Sequence, residues 1–354
     1  MKKINVGVIG LGWVASNRHI PIIMRNSQIH LFGVVDKNKN RIESILQKYP
    51  WVRTSVSEKG EIPWLEQVDA FLIATDPLSH FHLANRMLLS QKNILIEKPV
   101  TVSLRDALEI KQIATENKLI CCASHNFQFA RSTTKLKEMI DNGKLGKILG
   151  VEVTQWSNPK RRLPSWYEEL PFGLYYDESP HVFYLLKHLL SDDIEHLSSS
   201  IVTQNSSNTP LTITALYQSN GIPVRLNMNF HSSLSEWHIA FLGSKQVAIL
   251  DLFRDILVTV PNDGYHKAKN ILSTTYSFTM SHLLGFFRSG ISLTQKKLFY
   301  GSDIVWDKFV TGILNGKQPD DISIDNALDT VQLQHEIMTK SSIFESSLNE
   351  NSSI

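Results

Sequence analysis

Short apolar runs recur through the first third of the chain, at residues 6–9, 31–35, 70–74, 94–96 and 119–123, separated by stretches of helical character at 40–48, up to about 89, and 104–117. A run that is apolar on both faces is the mark of a parallel strand covered by helices on either side. With a further short strand at 53–56, the alternation predicts a doubly wound parallel sheet that closes near residue 123. From residue 151 the period changes to two. Val224, Leu226, Met228 and Phe230 alternate with Arg225, Asn227, Asn229 and His231, giving a strand with one apolar and one polar face. Asn220-Gly221 signals a hairpin, and Gly243-Ser244 a turn between strands at 237–242 and 246–250. The pattern thus predicts an α/β domain over 1–123, an α+β domain with an open, mainly antiparallel sheet over 124–340, and a frayed polar tail over 341–354. Helices are expected at 302–314, stopped by Asn315-Gly316, and at 325–340. Residues 252–300 carry Arg254, Tyr265, Lys267, Lys269, Phe286, Phe287, Arg288, Lys296 and Lys297 without a clean helical period. A lid or an oligomer arm is expected there in preference to a membrane-surface contact.

Composition narrows the class. With 354 residues, 42% apolar and 20% charged, the chain is globular and long enough for two domains. A net charge of +2 supplies no general field for nucleic acid, so any basic site must be local. Cys121 and Cys122 are adjacent in a strand-like run, which speaks against a structural disulfide and fits a reducing compartment. Met1-Lys2-Lys3 runs into a segment too short and glycine-broken for a secretory leader, and no apolar stretch is long enough to span a bilayer. A cytoplasmic location is expected. No metal-ligand spacing is found, so no metal is expected.

Candidate chemistry begins where the first strand ends. Gly10-Leu11-Gly12-Trp13-Val14-Ala15 leads into a helical stretch through about Met24. Gly10 permits a tight turn, Gly12 lets backbone approach a pyrophosphate, and Ala15 lets helix and strand pack closely, which is the logic of the Rossmann dinucleotide fingerprint. Asp36 closes the second strand at the distance where a carboxylate binds a ribose diol, which favours NAD; it could instead cap a turn. Lys37 and Lys39 could relieve repulsion of a 2′-phosphate, so NADP stays open. Ile94-Leu95-Ile96 ends in Glu97-Lys98-Pro99, at the strand edge where open α/β sheets hold their ligands, with proline stiffening the backbone behind Lys98. Read alone, these six residues are an ordinary strand end; their place downstream of a dinucleotide fingerprint makes Lys98 the leading catalytic candidate.

Further on, Lys160, Arg161 and Arg162 lie in a basic, aromatic loop that suits a substrate phosphate or carboxylate, or a solvated surface. Ser179 and Pro180 read as N-cap and first residue of a helix over 182–190. His181 would then sit in its first turn, where the helix dipole favours a neutral imidazole able to accept a proton.

Several motifs, in order and spacing, resemble the glucose–fructose oxidoreductase / inositol dehydrogenase / rhizopine-catabolism (Gfo/Idh/MocA) family of NAD(P)-dependent oxidoreductases over roughly the first half of the chain. They are the fingerprint, Ala74-Thr75 with His80, Glu97-Lys98-Pro99, Asn126 with Phe129, the run from Ile140 to Gly146, and Asp177 with His181. The resemblance implies a Rossmann domain followed by an α+β domain, and a homo-oligomer, dimer or tetramer. It implies cofactor contacts from Gly10, Gly12, Trp13, Val14, Ala15, Asp36, Thr75, His80, Glu97 and Lys98. It places Lys98 beside the nicotinamide and the reacting hydroxyl, makes His181 the proton-transfer residue, and makes Asp177 its partner or a substrate contact. Asn126 joins the substrate contacts.

Two positions depart from the family pattern. Gln128 stands where members commonly have arginine, so that contact is lost or moved to Arg131, and Tyr184 stands where many have aspartate, which makes it a substrate-contact candidate. The implied reaction is hydride transfer between nicotinamide and a secondary alcohol or ketone of a sugar, a sugar derivative such as a sugar nucleotide, or a cyclitol. A second enzyme reading uses held NAD for transient oxidation that enables hydrolysis or dehydration. A non-catalytic dinucleotide-binding regulator is the third, and retention of both Lys98 and His181 speaks against it.

Overall fold

Strand and helix follow one another as the periodicity requires, and the computed structural model describes residues 3–57, 61–191, 193–204, 207–294 and 299–346. The elements run β1 Ile4–Ile9, α1 Ile20–Arg25, β2 Ile29–Asp36, α2 Lys39–Lys48, β3 Arg53–Val56, β4 Ala70–Ile73, α3 Pro77–Leu89, β5 Asn93–Ile96, α4 Leu104–Glu116 and β6 Cys121–Ala123. There follow α5 Arg131–Asp141, β7 Ile148–Trp156, α6 Leu174–Leu190, β8 Glu195–Gln204, β9 Ser207–Ser219, β10 Ile222–Asn229, β11 Glu236–Gly243, β12 Gln246–Asp251 and β13 Ile256–Pro261. The chain ends in α7 Ala268–Thr294, α8 Ser302–Asn315, α9 Ile324–Lys340 and β14 Ser342–Glu345. Two compact units result, Met1–Phe129 with Gly301–Gln332, and Ala130–Tyr300 with Leu333–Ile354.

In the first unit six parallel strands take the order β3-β2-β1-β4-β5-β6. The inner strands β4 and β5 are apolar runs because helices cover both of their faces; Phe71, Leu72, Ile73, Ile94, Leu95 and Ile96 are fully buried. The chain reverses its direction across the sheet between β1 and β4, the crevice where such sheets bind ligands. Register aligns the strand ends there: Ile9 pairs with Val35 and Ile73, Ile73 with Ile96, and Ile96 with Ala123. Gly10, Asp36, Ala74, Glu97 and Ser124 therefore stand along one edge, with Thr75 next after Ala74.

Residues 301–332 belong with this unit, which differs from the expected 1–123 and 124–340 division. The reason lies at the free edge of β6. The Gln318 side chain accepts from Cys121 N at 3.1 Å and donates to Cys121 O at 2.8 Å, supplying the partners that a further strand would give. Trp306 of α8 is fully buried in the same unit.

The second unit holds an eight-stranded sheet, β13-β12-β11-β7-β10-β9-β8-β14, antiparallel except for the β7–β10 and β8–β14 pairs. The expected hairpin joins β9 to β10 through Asn220 and Gly221, both at positive φ. α6 packs on this sheet, with the rings of Phe183 and Tyr217 5.9 Å apart.

Three expectations are corrected here. A frayed tail is expected from residue 341, but Ser342–Glu345 form β14 at the sheet edge; 347–354 lie outside the described residues. Residues 252–300, where no helical period shows, contain β13 and the 27-residue helix α7; Lys296 and Lys297 lie outside the described residues. The helix expected at 182–190 starts at Leu174, so Ser179 is not its N-cap and Pro180 lies inside it.

Long-range partners explain that early start. Gly173, at φ +52°, precedes the helix, and Thr209 Oγ1 of β9 accepts from Leu174 N at 3.0 Å, capping the first turn from across the unit. Pro180 has no N–H for the carbonyl of Tyr176, which would break an unsupported helix. Gln334 of α9 replaces that donor, its Nε2 lying 3.0 Å from Tyr176 O and 2.9 Å from Ser179 Oγ, all buried.

Candidate functional site

Gly10 turns at φ +90°, and a Cβ there would lie 2.6 Å from Ala74 O, so the loop after β1 can lie against the end of β4 only as glycine. Gly12 meets nothing nearer than Ala74 O at 4.0 Å, which leaves open space above its backbone. Ala15 is fully buried, while Trp13 is half exposed, with the Arg18 guanidinium 5.5 Å from its ring centroid. Val14 is half-buried. The helical stretch expected through Met24 is a π-turn over Ala15–His19 followed by α1.

Asp36 is buried at the end of β2, and its carboxylate accepts from Leu11 N at 2.6 Å and Asn38 N at 2.7 Å. It thus ties the glycine loop to the second strand and also makes the turn that its residue type allows. Its nearby cation is neither Lys37 nor Lys39 but Arg41, 3.5 Å away; Lys39 lies 3.9 Å from Glu43. The open backbone at Gly12 and the carboxylate at Asp36 fit a dinucleotide with its ribose at β2. Thr75, after β4, accepts from the Ser79 hydroxyl at 2.7 Å.

Glu97 and Lys98 follow β5, and Lys98-Pro99 is cis. Trp306 donates its indole N–H to His19 Nδ1 at 2.9 Å. An indole can only donate, so the His19 proton sits on Nε2 and points at Glu97 Oε1, 2.7 Å away. Glu97 Oε2 accepts the backbone N–H of Lys98 at 3.1 Å. Burial pushes the Glu97 carboxyl up, but the hydrogen bond and charge of His19 and the Lys98 charge outweigh it and hold the group at about 2. Glu97 is therefore an ionised anchor beneath half-buried Lys98.

His80, buried, bonds through Nδ1 to Pro99 O at 2.8 Å; its Nε2 lies 3.3 Å from Thr75 O. Both neighbours are acceptors, and burial lowers the imidazole's basicity, so the neutral ring donates at the shorter contact only. His80 ties the turn after Lys98 to the first turn of α3. Asn126 is buried, its carbonyl accepting from Phe129 N at 3.0 Å. Gln128, at the position of the family's arginine, donates to Asp321 O at 2.9 Å and so packs the C-terminal segment.

The remaining predicted residues lie in the second unit. His181 is buried about two turns into α6, so the dipole rationale for its neutrality does not apply. Its Nδ1 meets the hydroxyl of fully buried Tyr184 at 2.7 Å, and its ring centroid lies 5.1 Å from that of Trp237. Tyr184 thus orients the histidine. Asp177, half-buried, sits one turn earlier on the same helix.

Arg161 pairs with Glu178, which is buried and also accepts from Gln155 and, at 2.6 Å, from the Ser157 hydroxyl. Burial lowers the basicity of Arg161, and the charge of Asp177 opposes that. Lys160 and Arg162 are exposed. Arg131 does not take over from the missing arginine: it donates to Asp255 O and Ser289 Oγ, both at 3.1 Å.

Other clusters in this unit are already satisfied. Glu236, His238 and Asp251 have metal-like spacing, but Arg254 forks across them, with contacts of 2.6 Å to each Glu236 oxygen and 2.7 Å to Asp251. A cavity of about 660 Å³ near Tyr167, Phe230 and His231 contains none of the predicted residues, and its Glu168 is held by Ser207 and Asn208.

Sequence reasoning missed His19, Trp306, Glu178, Thr209 and Gln334. Each acts on a partner far along the chain, and no local motif marks it.

Comparison with known proteins agrees with this layout. Myo-inositol 2-dehydrogenase of Thermotoga maritima is 24% identical over 192 residues, covering 54% of this chain and 56% of that one. Oxidoreductase P35 of Formosa agariphila is 22% identical over 299 residues, 79% of this chain and 92% of that one. Glucose-6-phosphate 3-dehydrogenase of Bacillus subtilis is 28% identical over 153 residues, 43% and 42% of the two chains. Apart from P35, the chain spans about half the length of these curated relatives. Among solved structures, KijD10, a 3-ketoreductase from Actinomadura kijaniata in complex with NADP and TDP-benzene, superposes with a TM-score of 0.77 at 17% identity, over 98% of this chain and 100% of that one. Residues 4–125 match the model of the oxidoreductase family's NAD-binding Rossmann fold, and residues 133–249 that of the GFO/IDH/MocA C-terminal domain. The chain belongs to the GFO/IDH/MocA family of NAD-binding oxidoreductases.

Proposed function

We propose that the chain interconverts a secondary alcohol and a ketone on a sugar, a sugar nucleotide or a cyclitol, with NAD or NADP as cofactor. The observation that carries this is the setting of Lys98: it stands at the sheet's ligand-binding edge, with its backbone N–H held by the ionised Glu97 and the turn after it held by His80. Bound nicotinamide supplies the hydride acceptor or donor. Lys98 stabilises negative charge as it develops on the substrate oxygen. His181, oriented by Tyr184, takes the proton from the alcohol or returns it to the ketone, and Asp177 grips a neighbouring hydroxyl. The first unit binds the dinucleotide, with Gly12 against the pyrophosphate and Asp36 at the ribose; the second carries the substrate contacts and the homo-oligomer surface.

Relatives named for inositol and glucose 6-phosphate, and a fold neighbour solved with TDP-benzene, support a carbohydrate-type substrate. Arg161 is already paired with Glu178, and exposed Lys160 of the same loop would meet a substrate phosphate. The test is to identify the nucleotide that purified protein binds and to screen inositols, sugars and sugar nucleotides at the reduced-nicotinamide absorbance band. Accumulation of reduced cofactor with one of these polyols is expected. Failure to bind either NAD or NADP sinks the proposal, and turnover with no net reduction would move it to transient oxidation.

A further inference from the structure

Helix α7 is packed inside out. Its small and polar side lies against β13: a Cβ at Gly285 would stand 2.6 Å from Ile256, and Ser289 is buried. Asn270, Thr274, Ser277 and Ser281 fall on that side at helical spacing and are only partly exposed. Leu272, Tyr276, Leu283, Phe287 and Ile291 fall on the opposite side, 71, 68, 44, 56 and 56% exposed, flanked by Leu284 and Phe286 at 51 and 66%. An ordinary surface helix buries its large apolar side chains and shows charge to water. Here serine, threonine and glycine, joined by Ile271 and Phe278 on the Gly285 stripe, form the packing side, so large apolar residues occur on both sides and no amphipathic period stands out in the sequence.

Charge on this segment has one sign. From Gly264 to Ser302 the sequence has no aspartate or glutamate, and the cations on or beside the described helix are Lys267, Lys269 and Arg288. Two copies apposed through this face would set cations against cations with no carboxylate on the helix to pair them. An anionic surface meets both the charge and the apolar side chains. Among the described residues, no helix is long and apolar enough to cross a membrane.

We propose that the outer face of α7 rests on an anionic phospholipid bilayer, with Leu283, Phe286 and Phe287 at the headgroup–acyl boundary and Lys267 and Lys269 against lipid phosphates. The helix lies on the membrane rather than spanning it. Flotation of the full chain with phosphatidylcholine vesicles, with and without phosphatidylglycerol, tests this. The chain is expected to float with the phosphatidylglycerol vesicles, less so at high salt. Lys267→Glu with Lys269→Glu is expected to weaken binding about tenfold or more. Leu283→Ser with Phe287→Ser is expected to abolish flotation while leaving the circular dichroism spectrum and cofactor binding unchanged, since both side chains point away from the sheet. Absence of flotation with phosphatidylglycerol vesicles at low salt overturns the proposal. So does unaltered flotation of the serine variant. A fall in solution mass of that variant, when the parent chain binds no vesicle, would assign the face to a second copy.

Discussion

The strand edge around Lys98 and the helix that carries His181 are built in different ways. At the strand edge, parallel register sets the ends of β1, β2, β4, β5 and β6 side by side, so residues that follow an apolar run are delivered to one row. The start and continuity of α6 depend instead on Thr209 and Gln334, which meet it from β9 and α9. Chemistry placed by sheet register can be read from short segments. Chemistry placed by tertiary hydrogen bonds cannot, and Ser179-Pro180-His181 shows the hazard: it has the composition of a helix start and lies inside a helix.

Five substitutions sharpen this contrast, beginning with the largest expected effect. His181→Ala should lower turnover about 10²- to 10⁴-fold, and Tyr184→Phe much less, if the tyrosine only orients the ring; steady-state kinetics of both separate proton transfer from positioning. Equal losses would make Tyr184 a reacting group.

Glu97→Gln addresses the strand edge. Its carboxyl is held at about 2 against an ordinary 4.5, so the ionised form stabilises the fold fully above 4.5, and that contribution is lost as pH falls toward 2. Urea unfolding across that range should show the variant's acid dependence flattened by up to about 3 kcal/mol. Identical slopes would mean that His19 and Lys98 do not act on the carboxylate.

Gln334→Leu removes the donor to Tyr176 O and should cost about 1–3 kcal/mol of stability, with a loss of helical signal assigned to α6 by hydrogen exchange. Unchanged exchange at α6 would show that the proline break needs no tertiary repair. The smallest effect is expected from Arg41→Ala, which should shift the NADP-to-NAD preference a few-fold toward NAD, since Arg41 is the cation beside Asp36. Cofactor titrations of parent and variant check it, and equal preference would leave Arg41 as a partner of Asp36 alone.

How far the sequence was legible follows from the same division. The fingerprint, Asp36 and Glu97-Lys98-Pro99 were readable because each is a local pattern at a strand end, and the α/β order followed from apolar runs. The assignment of 301–332 to the first unit was not, because Gln318 and Trp306 reveal their roles only through Cys121 and His19. The sequence pattern offers Arg161 as an anion site because its neutralising partner, Glu178, reads as lying ahead of the helix and instead lies inside α6. Arg131 misled in the same way, its donors being taken by Asp255 and Ser289.

The most direct measurement is on Lys98→Met, which keeps the length and apolar stem of the side chain and removes its charge. Cofactor affinity by fluorescence titration should stay within a few-fold of the parent chain, while turnover of the identified polyol should fall about 10²- to 10³-fold, the scale of losing a preorganised charge at a developing oxyanion. A variant that binds cofactor and turns over at the parental rate would contradict the central claim and leave Lys98 an ordinary lysine at the end of a strand.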